Sequence, residues 1–226
     1  MSSDVTSDGD AGGGAADRRR HRRRLGAVVD ERVSDLQFRY RTNMSSGVSD
    51  LAALRRAALA APGADPRVWE LTLSGLDVPA GTSDEPTDDE RAAHAAITLY
   101  AIHQQSKAAK MHCAGYGLGR SVRALVLPDK SNEKAVRRRF ESLGTASTFA
   151  ELMDHARGLV RQLRSAAVPL DYGRLADDLA ALQGPSAAAG VRLRWGREYH
   201  RARAAEPAAP AEPGATVPPT EPEENA

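Results

Sequence analysis

Cysteine occurs once in this 226-residue chain, at Cys113, so no internal disulfide can staple it. A single thiol suits a reducing compartment, and the cytoplasm is the expected location. No apolar run approaches the ~20 residues needed to span a bilayer. The charged start has no apolar stretch behind it of the kind a signal peptide needs, so no membrane partner is expected. Aromatic residues are few, with three Phe, two Trp and five Tyr. Val and Ile rarely alternate with polar residues, which disfavours sheets; abundant Ala and Leu favour packed helices. Net charge is only +1, but its distribution is uneven. Residues 18–24 read RRRHRRR, whereas five glutamates and no Lys or Arg follow Arg203.

Composition divides the chain into three parts. Residues 1–24, Ser/Asp/Gly-rich and then Arg-rich, cannot bury enough apolar surface to offset ordering entropy and are expected to be disordered. Residues 204–226, rich in Pro, Ala and Glu, are expected to be disordered as well. Between them, 25–203 should form one helical domain. Helical stripes appear at Val29, Val33, Leu36 and Tyr40, and at Leu51, Leu54 and Ala58, with Leu59 as a further candidate for the inward face, after a candidate cap at Ser49. Val68 to Leu76 makes a short segment around Trp69. The acidic stretch 77–89 reads as a surface loop. Thr87 with Glu90 forms a capping-box pattern, opening a helix whose inner face holds Ala92, Ala96, Leu99, Tyr100 and His103. Further helices carry Leu118, Val122, Leu125 and Val126; then Val136, Phe140 and Leu143; then Leu152, Ala156, Leu159 and Leu163. The last two carry Leu175, Leu179 and Leu182, closed by Gly184 and Pro185, and then Val191, Trp195 and Tyr199. The predicted fold class is all-α, a bundle of about eight short-to-medium helices, in one bundle or in two sub-bundles split near the acidic loop.

Catalytic patterns are missing. The six histidines, His21, His94, His103, His112, His155 and His200, lack metal-ligand spacing. No nucleophile elbow, P-loop or dinucleotide fingerprint occurs. Gly115, Gly117 and Gly119 sit in a loop without the strand or lysine a phosphate loop requires. His103 reads as a packed histidine on an apolar face. Neither an enzyme nor a metal or other cofactor is expected.

The distinguishing feature is arginine. From Arg120 to Arg164 there are ten Lys/Arg against five Asp/Glu. Along 151–164, Arg157, Arg161 and Arg164 recur at i, i+4 and i+7, away from the leucine stripe and with Asp154 as their only near acid. Arg138, flanked by Arg137 and Arg139, points away from Val136 and Phe140. Arg120 and Arg123 oppose Val122 and Leu125. Arg56 ends an earlier helix beside Arg55, and Arg192, Arg194 and Arg197 border Trp195, itself read as a core anchor. Guanidinium groups bind phosphate bidentately, so helices presenting arginine outward can follow a nucleic-acid backbone without reading bases. Stacking platforms for bases are not evident.

Six stretches together resemble the CasB small-subunit family of the type I-E CRISPR Cascade surveillance complex. They are ITLYAIHQQSK (97–107), GLGRSVRAL (117–125), RRRF (137–140), HARGLVRQLR (155–164), PLDYGRLADDL (169–179) and VRLRWGREYH (191–200). They occur in one order across roughly 49–200. The resemblance implies an all-helical, non-catalytic subunit. Two copies would lie head to tail against backbone and large subunits and stabilise guide RNA, target DNA and the displaced strand in an R-loop. It carries the basic role onto Arg56, Arg120, Arg138, Arg157, Arg161 and Arg164, and less directly onto Arg123, Arg192 and Arg194. Where the family pattern would accommodate a second arginine, Gly158 follows Arg157. The alternative is a helical adaptor joining protein subunits without touching nucleic acid.

Overall fold

The computed structural model describes residues 11–78, 81, 83–126 and 130–201, with side chains from Arg24 onward except that of Lys130. Most of both terminal segments, 1–10 and 202–226, lies outside the described residues. Among those described, nine α-helices follow in order: α1 Ala11–Arg41, α2 Ser45–Ala57, α3 Trp69–Thr72, α4 Asp88–Gln104, α5 Leu118–Val126, α6 Glu133–Thr145, α7 Phe149–Ser165, α8 Tyr172–Leu182 and α9 Pro185–His200. Two 3-10 turns, Pro66–Val68 and Lys130–Asn132, lead into α3 and α6. Among the described residues there is no strand, only one isolated bridge between His112 and Leu170.

Several helix starts follow from side-chain chemistry. Thr87 Oγ1 accepts the Glu90 N–H at 3.2 Å while Glu90 Oε2 accepts the Thr87 N–H at 2.7 Å, completing the capping box. Thr148 caps α7 through the Glu151 N–H at 3.1 Å, and Asp171 caps α8 through the Arg174 N–H at 2.9 Å. Three starts differ from the pattern reading. The α1 backbone is helical from Ala11, where the pattern reading began at Leu25. Alanine and arginine propagate a helix readily once a neighbouring turn has formed. Helix α2 begins at Ser45, and Ser49 Oγ instead donates to the Ser46 carbonyl at 2.9 Å; the helix ends at Ala57, so Leu59 lies beyond it and is exposed rather than inward. Asn43, at φ 57°, reverses the chain sharply, and Gly47 lets the first turn of α2 lie on α1, where a Cβ would come within 2.6 Å of the Tyr40 nitrogen. Gly184 and Pro185 open α9 as well as ending α8, with proline at the first helical position.

The core is organised around α4, which packs against α1, α2, α3, α7 and α8. Its sequence marks one apolar face, yet nearly its whole circumference from Ala92 to Gln104 is buried. No Asp, Glu, Lys or Arg occurs in that stretch, and a helix without a charged face belongs in the interior. Helices α5, α6 and α9 form a second group, joined to the first through α7 and α8. Buried residues from both groups make one continuous cluster. The acidic loop does not divide the fold, because α1 and α2, which precede it, pack on α4 and α8, which follow it. Trp195 is buried, with Phe140 at 6.1 Å between ring centroids. Helices α5 and α9 meet at backbone distance. A Cβ at Gly119 would collide with the Trp195 carbonyl oxygen.

These contacts carry two testable consequences. Gly119→Ala must push α5 off α9, because the obstacle is backbone and cannot rotate aside. A loss of about 2–3 kcal/mol, read as a melting-temperature drop of roughly 5–10 °C, is expected in thermal denaturation followed by circular dichroism. The second concerns Asp177, whose Oδ1 accepts the Gly26 N–H at 2.9 Å. Burial, reinforced by Asp178, Asp89 and Asp171, pushes its carboxyl up from 3.8 to about 7 despite that bond. The folded state therefore holds a proton that the unfolded chain releases. Stability is full below about pH 4 and declines as pH rises through 7. Asp177→Asn should raise stability at both pH 5 and pH 8, and by on the order of 2 kcal/mol more at pH 8 than at pH 5, as measured by urea titration at both pH values.

Candidate nucleic-acid interface

Helix α7 buries Leu152, Ala156, Leu159 and Leu163 as its periodicity requires. Its three arginines have different fates. Arg161 is exposed. Arg157, with only 16% of its side chain exposed, pairs with Asp154 and donates to the Ala58 carbonyl at 3.3 Å, at the end of α2. Arg164 is half-buried and donates to Gln105 Oε1 at 2.9 Å. The i, i+4, i+7 stripe is therefore not one open face. Its first and last members close the seams where the ends of α2 and α4 meet α7.

Arg161 lines a shallow groove with Arg139, Asp154, His155, Gly158, Gln162 and Ser165. Arg139 reaches across from α6 over Gly158, where a Cβ would lie 3.5 Å from Arg139 Cδ. A Cβ at 158 would make only ordinary contact with that side chain, so the arginine's position does not depend on glycine there. Nothing in the run RRR separates Arg139 from its neighbours, and only the packing of α6 beside α7 places it at this groove.

On α6, Arg138 is exposed, whereas Arg137 faces Glu141 at 3.5 Å. On α5, Arg120 is exposed and its guanidinium stacks 3.9 Å from the Tyr116 ring centre. Arg123 is half-exposed, 3.4 Å from Glu133 and 5.7 Å from the Tyr199 ring centre. Arg56 is exposed at the end of α2. Burial, aided by the like charges of Arg56 and Arg164, holds the neighbouring Arg55 below its ordinary range, Tyr40 opposing.

Two of the three α9 arginines, Arg192 and Arg194, bond to other helices. Arg192 Nε donates to the Gly144 carbonyl at 2.6 Å, satisfying an orphan acceptor at the end of α6. Arg194 pairs with Asp178, whose side chain is only 2% exposed and whose other oxygen accepts the Trp195 Nε1–H at 2.6 Å. Burial pushes the Asp178 carboxyl up, opposed by Arg194 and Trp195. Arg157, Arg164 and Arg194 are thus part-buried ties between helices rather than open surface positions, whereas Arg192 stays exposed with only its Nε engaged. The pattern on one helix cannot reveal the carbonyl, amide or carboxylate that another helix supplies. Arg56, Arg120, Arg138 and Arg161 stay outward, with Arg139 added.

One cluster has the composition of a metal site. Ligand atoms of Asp30, His112 and Asp171 lie within 4.8 Å of one another. Hydrogen bonding accounts for all three. His112 Nδ1 accepts the Tyr172 N–H at 3.2 Å, so the neutral ring carries its proton on Nε2, which lies 2.9 Å from Asp30 Oδ1. A metal at Nε2 would require an imidazolate. Asp171 accepts the Gly115 and Arg174 N–H groups. His103 is fully buried, its Nδ1 2.9 Å from the Tyr172 hydroxyl, and burial lowers its pKa to about 4, keeping it neutral. These groups brace the fold rather than forming a nucleophile–base pair.

The division between ties and surface groups is measurable. Arg194→Ala strands a buried carboxylate and should cost about 1–3 kcal/mol in urea unfolding, whereas Arg138→Ala should change stability by less than about 0.5 kcal/mol.

No helix among the described residues is long and apolar enough to cross a membrane. Comparison with known proteins returns a match over residues 50–200 to the family described as CRISPR-associated protein Cse2. No curated protein matches. The fold is similar to the crystal structure of CasB from Thermobifida fusca, with 40% identity, a TM-score of 0.66, and 78% of this chain and 97% of that one covered. It is also similar to a CRISPR-associated Cse2-family protein from Thermus thermophilus, with 26% identity, a TM-score of 0.57, and 78% and 98% covered. With two thirds of its length matched by that family and the same helical fold in two of its relatives, this chain belongs to the CRISPR-associated Cse2 (CasB) family.

Proposed function

We propose that this chain is the non-catalytic small subunit of a type I-E Cascade complex, acting in antiviral defence by holding the nucleic-acid strands of the R-loop through sequence-independent arginine–phosphate contacts. Its partners are the backbone and large subunits, a second copy of itself, guide RNA, and target DNA including the displaced strand. The observation that carries this reading is the set Arg120, Arg138, Arg139 and Arg161. All four are exposed on the outer sides of three successive helices. Among the described residues, none of them makes a carboxylate ion pair of the kind that holds Arg157 and Arg194. In a complex where base pairing reads sequence, the protein's part is to hold backbones, and guanidinium groups on rigid helices suit that part. Arg56 extends the set on α2. Arg157, Arg164 and Arg194 serve it indirectly, by fixing the helices that carry the others.

The adaptor reading finds support in the exposed apolar side chains Leu59, at 81% exposure, and Phe38, at 63%, which suit protein contacts. The two readings part in the assembled complex. Replacing Arg120, Arg138 and Arg161 together with Ala should weaken binding to matched targets of unrelated sequence by the same factor. The slope of log affinity against log salt should flatten by roughly 0.7–0.9 per lost contact. An unchanged slope supports the adaptor; a loss confined to particular sequences contradicts backbone contact.

A further inference from the structure

We infer that Arg120, held flat on Tyr116, is a stacking face for one unpaired base, which assigns this arginine to the displaced strand. The strand assignment rests on the function proposed above; the stacked pair itself does not.

The pair is built across the boundary between the glycine loop and α5. Tyr116 precedes the helix by two residues, and Arg120 lies in its first turn. Each backbone is fixed by a different neighbour. The Tyr116 carbonyl accepts the Asp171 N–H at 2.8 Å, and the Gly115 N–H donates to Asp171 Oδ2 at 2.8 Å, so the loop is tied to the start of α8. Gly119 lies against the Trp195 carbonyl of α9. Both side chains are thus placed before any ligand arrives, which lowers the ordering cost of binding.

The Arg120 guanidinium carbon lies 3.9 Å from the centre of the Tyr116 ring. That is the contact separation of two carbon atoms, and so of stacked planes. A guanidinium meeting the ring edge-on would hold its carbon further out. Arg120 is exposed while Tyr116 is half-buried, so one guanidinium face rests on tyrosine and the other is turned to solvent. Arg123, one turn on, is placed differently. Its guanidinium is 5.7 Å from the Tyr199 ring centre and 3.4 Å from Glu133. Among the described residues, Arg120 is the one exposed arginine stacked this closely on a ring.

A guanidinium plane takes a nucleobase on its free face, and its N–H edges stay available to the adjoining phosphate. Every base has such a face, so the contact reads no sequence. It does read pairing. A base inside a duplex is covered by its neighbours on both sides. An unpaired strand leaves base faces open, and in an R-loop that strand is the displaced one. Composition gives no sign of this platform, because a single tyrosine in a glycine loop carries no period.

An abasic scan in the assembled complex tests the assignment. Targets carry a pre-opened bubble, so that removing a base leaves duplex stability unchanged. A single abasic site is moved along the displaced strand, and equilibrium binding is compared with the unmodified target. With the wild-type chain, base removal at one position per copy of the chain should weaken binding on the order of five-fold, and removal elsewhere by far less. Arg120→Lys keeps the charge without the plane. It should abolish that penalty while leaving the slope of log affinity against log salt within about 0.2 of wild type. Tyr116→Leu removes the support and should abolish the penalty too, whereas Tyr116→Phe, which keeps the ring, should retain it. Arg120 is exposed, so Arg120→Lys should melt as the wild type does. No position-specific penalty in the wild type, a penalty that survives Arg120→Lys, or one found only in the guide or target strand overturns the stacking assignment. In that event, a salt slope still flattened by Arg120→Ala upholds the phosphate contact proposed above, and an unchanged slope contradicts it as well.

Discussion

From Ala92 to Gln104, α4 carries no Asp, Glu, Lys or Arg, and α1, α2, α7 and α8 close around it. Alanines at 92, 93, 95, 96 and 101 keep its surface low enough for neighbours to approach closely. Every other packing decision follows from that enclosure. The buried polar groups at its far end must then be satisfied internally. Gln104 does this by donating to the Lys107 and Ala109 carbonyls and accepting the Met111 N–H. Gln37 exchanges two bonds with the backbone of His112, and Tyr172 links His103 to the helix α8 start. The loop after α4 is thereby folded back onto α1 and α8, and the glycine-containing turn that follows delivers α5 to α9.

Much of this architecture is legible residue by residue. Thr87 with Glu90 forms the expected capping box, and Thr148 and Asp171 cap α7 and α8 by the same chemistry, because side-chain capping is a local interaction between residues three apart. Leucine stripes on α7 and α8 and the Val191–Trp195–Tyr199 series on α9 face inward as their spacing demands. The start of α2 is not legible, since Met44 caps it without a side-chain bond. Its position depends instead on the reversal at Asn43 and on the approach of Gly47 to α1. The full burial of α4 goes beyond a one-face reading for a similar reason: alanine tolerates either environment, and only the surrounding helices decide.

Arginine shows the same limit most sharply. Period alone places Arg157, Arg161 and Arg164 on one side of α7. Only tertiary structure gives Arg157 to Ala58 and Arg164 to Gln105 while leaving Arg161 outside. Guanidinium has five donors in a fixed plane, so it serves equally to close a helix end, neutralise a buried carboxylate or meet a phosphate. The same property lets a fold with few aromatics join its helices through arginine, at Gly144, Asp178 and Ala58. A surface and a set of internal ties are thus made from one residue type.

The backbone contact between Gly119 and Trp195 has a bearing on how such a surface can evolve. Arg120 is the next residue after a point where two main chains touch, so its Cα is indexed to α9 by peptide geometry and not by the sizes of surrounding side chains. Core residues can be exchanged, within volume limits, while that spacing is kept. Drift in the interior and constancy of charge placement outside are therefore compatible here, with one hydrogen atom, the missing side chain of a glycine, acting as the gauge between them.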